Sequence, residues 1–294
     1  MNSINSMNSM NRYLISVDIE GITGVANREF SSSNGSRYSL ACYFMICDVN
    51  AVIKGIFSAD KNPIVIVRDA HGKAVNLDLA KLDSRAQLLQ GWDSSTNMVY
   101  PVDDSYSGVF LVGYHSGATN LRGVLSHTYG VRSVKINGMS LTETGIAAWY
   151  AGHYNVPIIF CSGDDQAVIE AKEQLPQIEI VEVKKSINRH SSLSLSLDEA
   201  TKKLEAGAFN AVKRNIEKKL PPLIFKEKLL KVIIEFEGNS YLPNAFQDLM
   251  DILSFDLNYK FNNENLSVEY QTSSQLEAYQ RFALITKLAS AFVE

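Results

Sequence analysis

The chain has 294 residues, 46% of them hydrophobic, which is enough for a large core and for one or two domains. Its net charge of -4 and pI of about 5.8 give no electrostatic footprint for nucleic acid or an anionic membrane. No uninterrupted apolar run of about 18 residues occurs, so no membrane-spanning helix is expected. The three cysteines, Cys42, Cys47 and Cys161, lack CxxC spacing and read as reduced core residues of a cytoplasmic protein.

Residues 1–12 form an Asn/Ser/Met-biased segment without the apolar centre of a signal peptide; they are expected to be a disordered tail with alternative start methionines. Tyr13-Leu14-Ile15 reads as a buried strand that ends in Ser16-Val17-Asp18-Ile19-Glu20-Gly21. Side chains alternate along a strand, so Asp18 and Glu20 point to one face. Residues 21–35 are polar and contain glycine, as loops do. Ser36 is expected to cap a helix running to about Ser58, with Leu40, Phe44, Ile53 and Phe57 among its apolar positions. Pro63 to Val67 is a second buried strand, followed by Arg68-Asp69-Ala70-His71-Gly72. Strand, helix and strand of this length predict a parallel βαβ unit.

The pattern repeats. Val109 to Val112 is a strand followed by Gly113-Tyr114-His115-Ser116-Gly117. Ser133 to Gly138 reads as a strand and turn. A helix is expected from Thr142, through Glu143, to Tyr154. Val156 to Cys161 is a strand ending in Ser162-Gly163-Asp164-Asp165; a short helix, Gln166 to Gln174, and an alternating strand, Ile178 to Val183, follow. Beyond Lys184 the character shifts. Ser191 to Ser196 reads as a linker, and Asp198 opens an amphipathic helix that Pro221-Pro222 stops. A strand at Lys231–Phe236, a helix at Leu242–Leu253, a strand pair within residues 256–271 and a helix from Ser274 to Val293 complete the chain. The expected fold is α/β: an N-terminal, mostly parallel sheet flanked by helices in residues 13–185, followed by a smaller α+β part in residues 186–294.

Of the five histidines, His71 and His115 directly follow apolar strands, as Asp18 and Glu20 do, and His127 lies shortly beyond in Gly123-Val124-Leu125-Ser126-His127. Parallel strands place their carboxyl ends at one edge, where open α/β sheets build their sites. Glu143, at a helix start, should abut the same edge. Asp18, Glu20, His71, His115 and Glu143 thus form a candidate ligand set. Imidazole with carboxylate favours zinc, manganese or cobalt over calcium or magnesium. Five ligands exceed what one catalytic zinc needs and suit two ions sharing a carboxylate, an arrangement that activates water and polarises a carbonyl. His127 is then a candidate acid/base or transition-state group.

Blander readings suit the other polar residues. His153 sits near a helix end, and His190 falls in a Ser-rich linker. Asp164-Asp165 reads as a helix cap. Asp69 could orient His71 but fits a turn, and Lys73 fits the surface. Gly21-x-x-Gly24 is too little for a phosphate loop.

In order, Ser16-Val17-Asp18-Ile19-Glu20-Gly21-Ile22-Thr23-Gly24, Asp69-Ala70-His71, Gly113-Tyr114-His115, Gly123 to His127, the Glu143 segment and Val156-Pro157 to Asp165 resemble the zinc D-aminopeptidases of peptidase family M55, whose signature is SxDxEG. The resemblance reaches Leu276-Glu277-Ala278-Tyr279-Gln280 more weakly and covers nearly the whole chain after residue 12. It implies two zinc ions per subunit on Asp18, Glu20, His71, His115 and Glu143, with Asp18 bridging and His127 catalytic. It also implies hydrolysis of short peptides with N-terminal D-residues, D-Ala-D-Ala among them, by a cytoplasmic, ring-shaped homo-oligomer, a decamer in the type member. The residues alone leave two alternatives: another binuclear hydrolase of amides or phosphoesters, and a solute-binding protein with a structural metal.

Overall fold

The computed structural model describes residues 10–92, 97–237 and 245–291. The strands are β1 (Arg12–Val17), β2 (Ile64–Asp69), β3 (Ala86–Leu89), β4 (Gly108–Val112), β5 (Ser133–Ile136), β6 (Met139–Leu141), β7 (Ile158–Asp164), β8 (Glu179–Asn188), β9 (Ser191–Ser194), β10 (Leu230–Glu235), β11 (Lys260–Asn262) and β12 (Ser267–Thr272). The helices are α1 (Arg28–Ser31), α2 (Tyr38–Ala59), α3 (Glu143–His153), α4 (Asp165–Gln174), α5 (Leu197–Lys218), α6 (Ala245–Leu253) and α7 (Gln275–Ala291).

Seven strands form the first sheet in the order β3-β2-β1-β4-β7-β8-β9. The first six run parallel and β9 returns antiparallel beside β8. From β1 the chain builds outward through β2 and β3, then crosses to β4 on the other side of β1. The carboxyl ends of β1 and β4 therefore flank the topological switch point, where such sheets bind ligands. β1 and β4 are apolar and buried almost throughout, as central parallel strands must be when helices cover both faces. One face packs on α2 and α5, through Val49, Val52, Ile56, Leu204 and Ala208; the other packs on α3 and α4, through Ala147, Ala151 and Ala171. Helix α2 has the length and hydropathy of a membrane span, but Val49, Val52, Ile53 and Ile56 are fully buried in this core, which accounts for its apolarity.

The second sheet, β11-β12-β10-β5-β6, is antiparallel throughout. With α6, α7 and one side of α3 it encloses a separate core around Trp149, Phe246, Tyr270 and Phe282. It draws strands from both sides of residue 185: β5 and β6 extend β10 rather than the parallel sheet, whereas β9 and α5 pack with the first sheet.

Several local expectations are corrected. Ser191 to Ser196 is not a linker: Ser191–Ser194 pair with β8, and the backbone groups that a linker would offer to water bond across this edge instead. The segment taken as a loop contains the one-turn α1, which Asn27 caps by accepting from Glu29 N. Ser36 does not cap α2; Arg37 holds that position. Strand β3 has only four residues and no alternation, and its sequence gave no signal. The expected tail lies outside the described residues up to residue 9, and β1 already begins at Arg12.

Candidate metal centre

Two close backbone approaches assemble the centre. Beyond β1 the chain turns so that Asp18 N donates to Val112 O (2.9 Å) and Gly21 N to Gly113 O (2.7 Å). A Cβ on Gly21 would stand 2.0 Å from Tyr114 O. Gly113, at φ +71, would clash with Asp18 O at 2.3 Å. Only glycine at both positions lets the two strand ends touch. Ser16, the first residue of the Ser-x-Asp-x-Glu-Gly run, anchors the turn from below: its hydroxyl donates to Met98 O (2.7 Å) and lies 2.8 Å from Tyr114 Oη.

The five candidate ligands and His127 come together at this edge. His71 Nδ1 lies 3.0 Å from Asp18 Oδ1 and 3.1 Å from Glu20 Oε2. His115 Nε2 lies 3.3 Å from Asp18 Oδ2 and 3.4 Å from Glu143 Oε2. Each oxygen of Asp18 thus faces a different imidazole, and each imidazole faces a second carboxylate. Ligand atoms ~2.0–2.1 Å from a tetrahedral zinc stand roughly 3.3 Å apart, so these separations are those of donors around an ion. All four acids and bases closest to the centre, Asp18, Glu20, His115 and Glu143, are buried.

The remaining ring nitrogens are committed elsewhere. His71 Nε2 pairs with Ser31 O (2.8 Å) and His115 Nδ1 with Ser116 O (3.0 Å). Each carbonyl can only accept, so each ring presents its other nitrogen to the carboxylates, as metal-binding histidines do. Glu20 Oε2 and His115 Nε2 are buried, and their neighbours in the cluster, at 3.1 Å and at 3.3 and 3.4 Å, give them no well-aligned hydrogen bond. Such orphaned atoms are costly unless a ligand satisfies them, and a divalent cation fits this donor set. Burial alone would raise the pKa of Asp18, but hydrogen bonds and charge from His115 and His71 hold it well below the usual range. Burial would lower His71; Glu20 and Asp18 overcome it and push the ring up to about 11. Burial likewise opposes, and Glu143 and Asp18 reverse, the shift of His115, which lies well above the ordinary value.

His127 stands apart from the buried ligands. Its side chain is 45% exposed, and its ring stacks on His115 at 3.9 Å between centroids. Nδ1 pairs with Leu125 O (2.9 Å), which leaves Nε2 toward the cluster, 3.8 Å from Glu143 Oε1 and within 4.8 Å of a ligand atom of His115. Leu125 and Tyr129, on either side, adopt left-handed φ of 52° and 46°, and Tyr129 N donates to Glu143 Oε1 (2.8 Å). Backbone held in this region by its surroundings is a recurrent feature of functional loops.

The remaining predicted residues do not enter the cluster. Asp69 is a turn residue, accepting from Asn76 N and Leu77 N. Asp164 caps α4 through Ala167 N and also holds Val124 N, while Asp165 accepts from Ser186 N. Lys73 and His153 are exposed. His190 is exposed too, but it lines a cavity of about 390 Å³ shared with Glu20 and His127.

The sequence reading missed Lys184. It is 1% exposed, and its ammonium donates to three carbonyls of the ligand turn: Glu20 O (2.5 Å), Ile22 O (2.9 Å) and Val25 O (2.7 Å). Burial pushes its pKa down to about 8 against the opposing charges of Asp164, Asp48 and Glu20. Strand alternation puts Val181 and Val183 inside and predicts Lys184 outside. A register shift between β7 and β8 at Gly163/Asp164 turns it inward.

A family model described as D-aminopeptidase, peptidase M55, matches residues 11–254. A D-aminopeptidase of Bacillus subtilis (strain 168) is 32% identical over 278 residues, covering 94% of this chain and 96% of that protein. The solved structure of the Zn-dependent D-aminopeptidase DppA from Bacillus subtilis, described as a self-compartmentalizing protease, matches with a TM-score of 0.85 and 29% identity, over 95% of this chain and 98% of that one. The chain belongs to the M55 family of D-aminopeptidases.

Proposed function

We propose that this protein is a zinc-dependent aminopeptidase that removes N-terminal D-residues from short peptides of the D-Ala-D-Ala type, at a site for two ions. The observation that carries the two-ion reading is Asp18: its oxygens face His71 and His115 separately, at 3.0 and 3.3 Å. His71 and Glu20 would hold one ion with Asp18, and His115 and Glu143 the other. Zinc held there supplies Lewis acidity, which lowers the pKa of water toward about 7 and polarises a peptide carbonyl.

The chain's own groups do the rest. Ser31 O and Ser116 O fix the tautomers of His71 and His115. His127 Nδ1 donates to Leu125 O, so Nε2 is the basic atom: it takes up the proton that the attacking water releases and, as the imidazolium, passes it to the leaving amine or donates a hydrogen bond to the developing oxyanion. The family's D-aminopeptidase activity and the zinc dependence of the DppA relative support the reading. The relative's self-compartmentalizing description supports assembly of this chain into a homo-oligomer; a ring of ten subunits is the size that the family resemblance implies. The free thiols of Cys42, Cys47 and Cys161 suit a cytoplasmic setting.

The test is zinc content per subunit measured beside hydrolysis of D-Ala-D-Ala, L-Ala-L-Ala and p-nitrophenyl phosphate. The expected result is two zinc ions, turnover of the D-dipeptide, and loss of turnover on chelation. His127→Ala should retain both ions and lose on the order of 10²–10⁴-fold in kcat. Full activity of that variant with metal bound would overturn the role given to His127.

A further inference from the structure

The cavity beside the cluster is lined by both acidic and basic side chains. Besides Glu20 and His127 it is lined by Arg28, Arg189 and His190, with Glu237 as the other acid. Arg189 stands at the turn between β8 and β9 and is built into the loop that carries His127. Its carbonyl accepts from Leu125 N at 3.0 Å, and its Nη2 donates to Ser126 O at 2.7 Å. A guanidinium carries five N–H donors in a rigid fork, so this tether fixes the side chain and leaves most of its donors to spare. Arg28 belongs to the short α1, which ends at Ser31, the residue whose carbonyl holds His71. Among the described residues the Arg28 side chain makes no hydrogen bond or ion pair.

A short peptide carries its amine at one end and a carboxylate at the other. In the aminopeptidase reading the scissile bond, next to the amine end, lies at the cluster. A guanidinium pairs with a carboxylate through two parallel charge-assisted hydrogen bonds, which fix orientation as well as charge. We propose that Arg28 and Arg189 form a subsite for the free α-carboxylate of the peptide, so that the site favours substrates whose chain ends just beyond the scissile bond. This rests on the aminopeptidase reading and adds a length and end-group selectivity to it. Because Arg189 is tied to residues 125 and 126, the occupied subsite also holds the His127 loop in place.

The experiment compares D-Ala-D-Ala with D-Ala-D-alaninamide, which has the same scissile bond but no terminal carboxylate. Both are assayed with the zinc-loaded full chain. Wild type should prefer the free acid in kcat/KM, mainly through KM. Arg28→Gln and Arg189→Gln should each reduce the acid-to-amide ratio of kcat/KM by about tenfold to a hundredfold, the range expected for losing a hydrogen bond to a charged group. Arg189→Lys should recover part of the ratio. Arg28→Gln breaks no internal bond, so its result stands even if the Arg189 variants lower zinc content. Equal cleavage of acid and amide by wild type, or an unchanged ratio in Arg28→Gln, overturns the subsite and leaves the aminopeptidase reading intact. Zinc-loaded wild type that cleaves neither peptide overturns the aminopeptidase reading itself.

Discussion

Asp18 is the residue on which the centre depends, because both halves of the donor set meet at it. Its neighbours do not share this position: Glu20 is paired with His71 and comes only within 4.8 Å of His115, and Glu143 faces His115 and, at longer range, His127. Asp18→Ala should therefore abolish binding of both ions, whereas Glu20→Ala should weaken one and leave about one ion per subunit. Metal analysis after dialysis against a weak chelator separates these outcomes, and equal loss in both variants would remove the case for Asp18 as the shared ligand. A second residue-scale effect concerns stability. Asp48 is buried; its Oδ2 accepts from Thr23 N and Thr23 Oγ1, while Oδ1 has no partner. Burial raises its pKa from 3.8 to about 6 despite those bonds and the nearby Lys184 charge. Folded Asp48 binds its proton more tightly than the unfolded chain does. Its contribution to stability is thus full below about pH 4, declines as pH rises toward 6 and is flat above. Two units at about 1.36 kcal/mol each put the effect on the order of 3 kcal/mol. Asp48→Asn keeps an acceptor for Thr23 without the charge, so urea midpoints measured between pH 4 and 7 should fall less steeply than in wild type; parallel curves would show that Asp48 does not titrate in this range.

The element that does most for the site without contributing a ligand is the β8–β9 hairpin. Lys184 reaches from it to the Glu20 turn, Ser194 Oγ accepts from Gly24 N (2.8 Å), Ser186 Oγ bonds Arg122 O, and Arg189 holds Leu125 and Ser126. One hairpin thus braces the loops on both sides of the metal cluster. Lys184→Met preserves bulk but strands three carbonyls in a dry environment, at about 1–3 kcal/mol for each one left unsatisfied. The expected result is lower zinc affinity, greatest for the ion that Glu20 would hold, with partial rescue by Lys184→Arg. A zinc titration reads this directly; unchanged affinity in a folded Lys184→Met protein would confine the lysine to general stability. Nothing in the linear pattern near residue 184 disclosed this brace, whereas the convergence of the candidate ligands was legible. Asp18, Glu20, His71 and His115 each follow an apolar strand, and parallel pairing puts such positions at one edge whatever the loops do. The hairpin depends instead on a register shift and on a Ser-rich edge strand, and neither leaves an apolar period to read. The strand at Ser133 was legible, but not its partner: β5 pairs with β10, some hundred positions away in sequence, the three-residue β6 pairs with β5, and only the finished second core selects that arrangement.

At the scale of the whole molecule, α3 joins the two cores. Glu143, at its first turn, faces the metal cluster. Ala147, Ala148 and Ala151 pack beneath the parallel sheet, and Trp149 is fully buried among Tyr279 and Phe282 of the second core. Small residues on one side of the helix allow close approach to the sheet, while the large ring on the other fills the second core. Trp149 is also tied by polar groups: Nε1 donates to Gln275 O (3.0 Å), and Gln275 Nε2 donates back to Trp149 O (2.8 Å). Trp149→Phe removes the indole donor and part of the volume; Trp149→Ala leaves a cavity and should cost about 3–5 kcal/mol. Since α3 carries Glu143, that loss should spread beyond the second core. Zinc affinity should drop in proportion to the opening of α3, and saturating zinc should restore part of the melting temperature, because a ligand bound only to the folded state stabilises it by about 2.7 kcal/mol at a hundred times its dissociation constant. Calorimetry with and without zinc tests this coupling. A single transition that zinc shifts upward in both wild type and Trp149→Phe means that the second core supports the site through α3; two transitions, with only one responding to zinc, mean that the cores melt independently and that the metal is held by the parallel sheet alone.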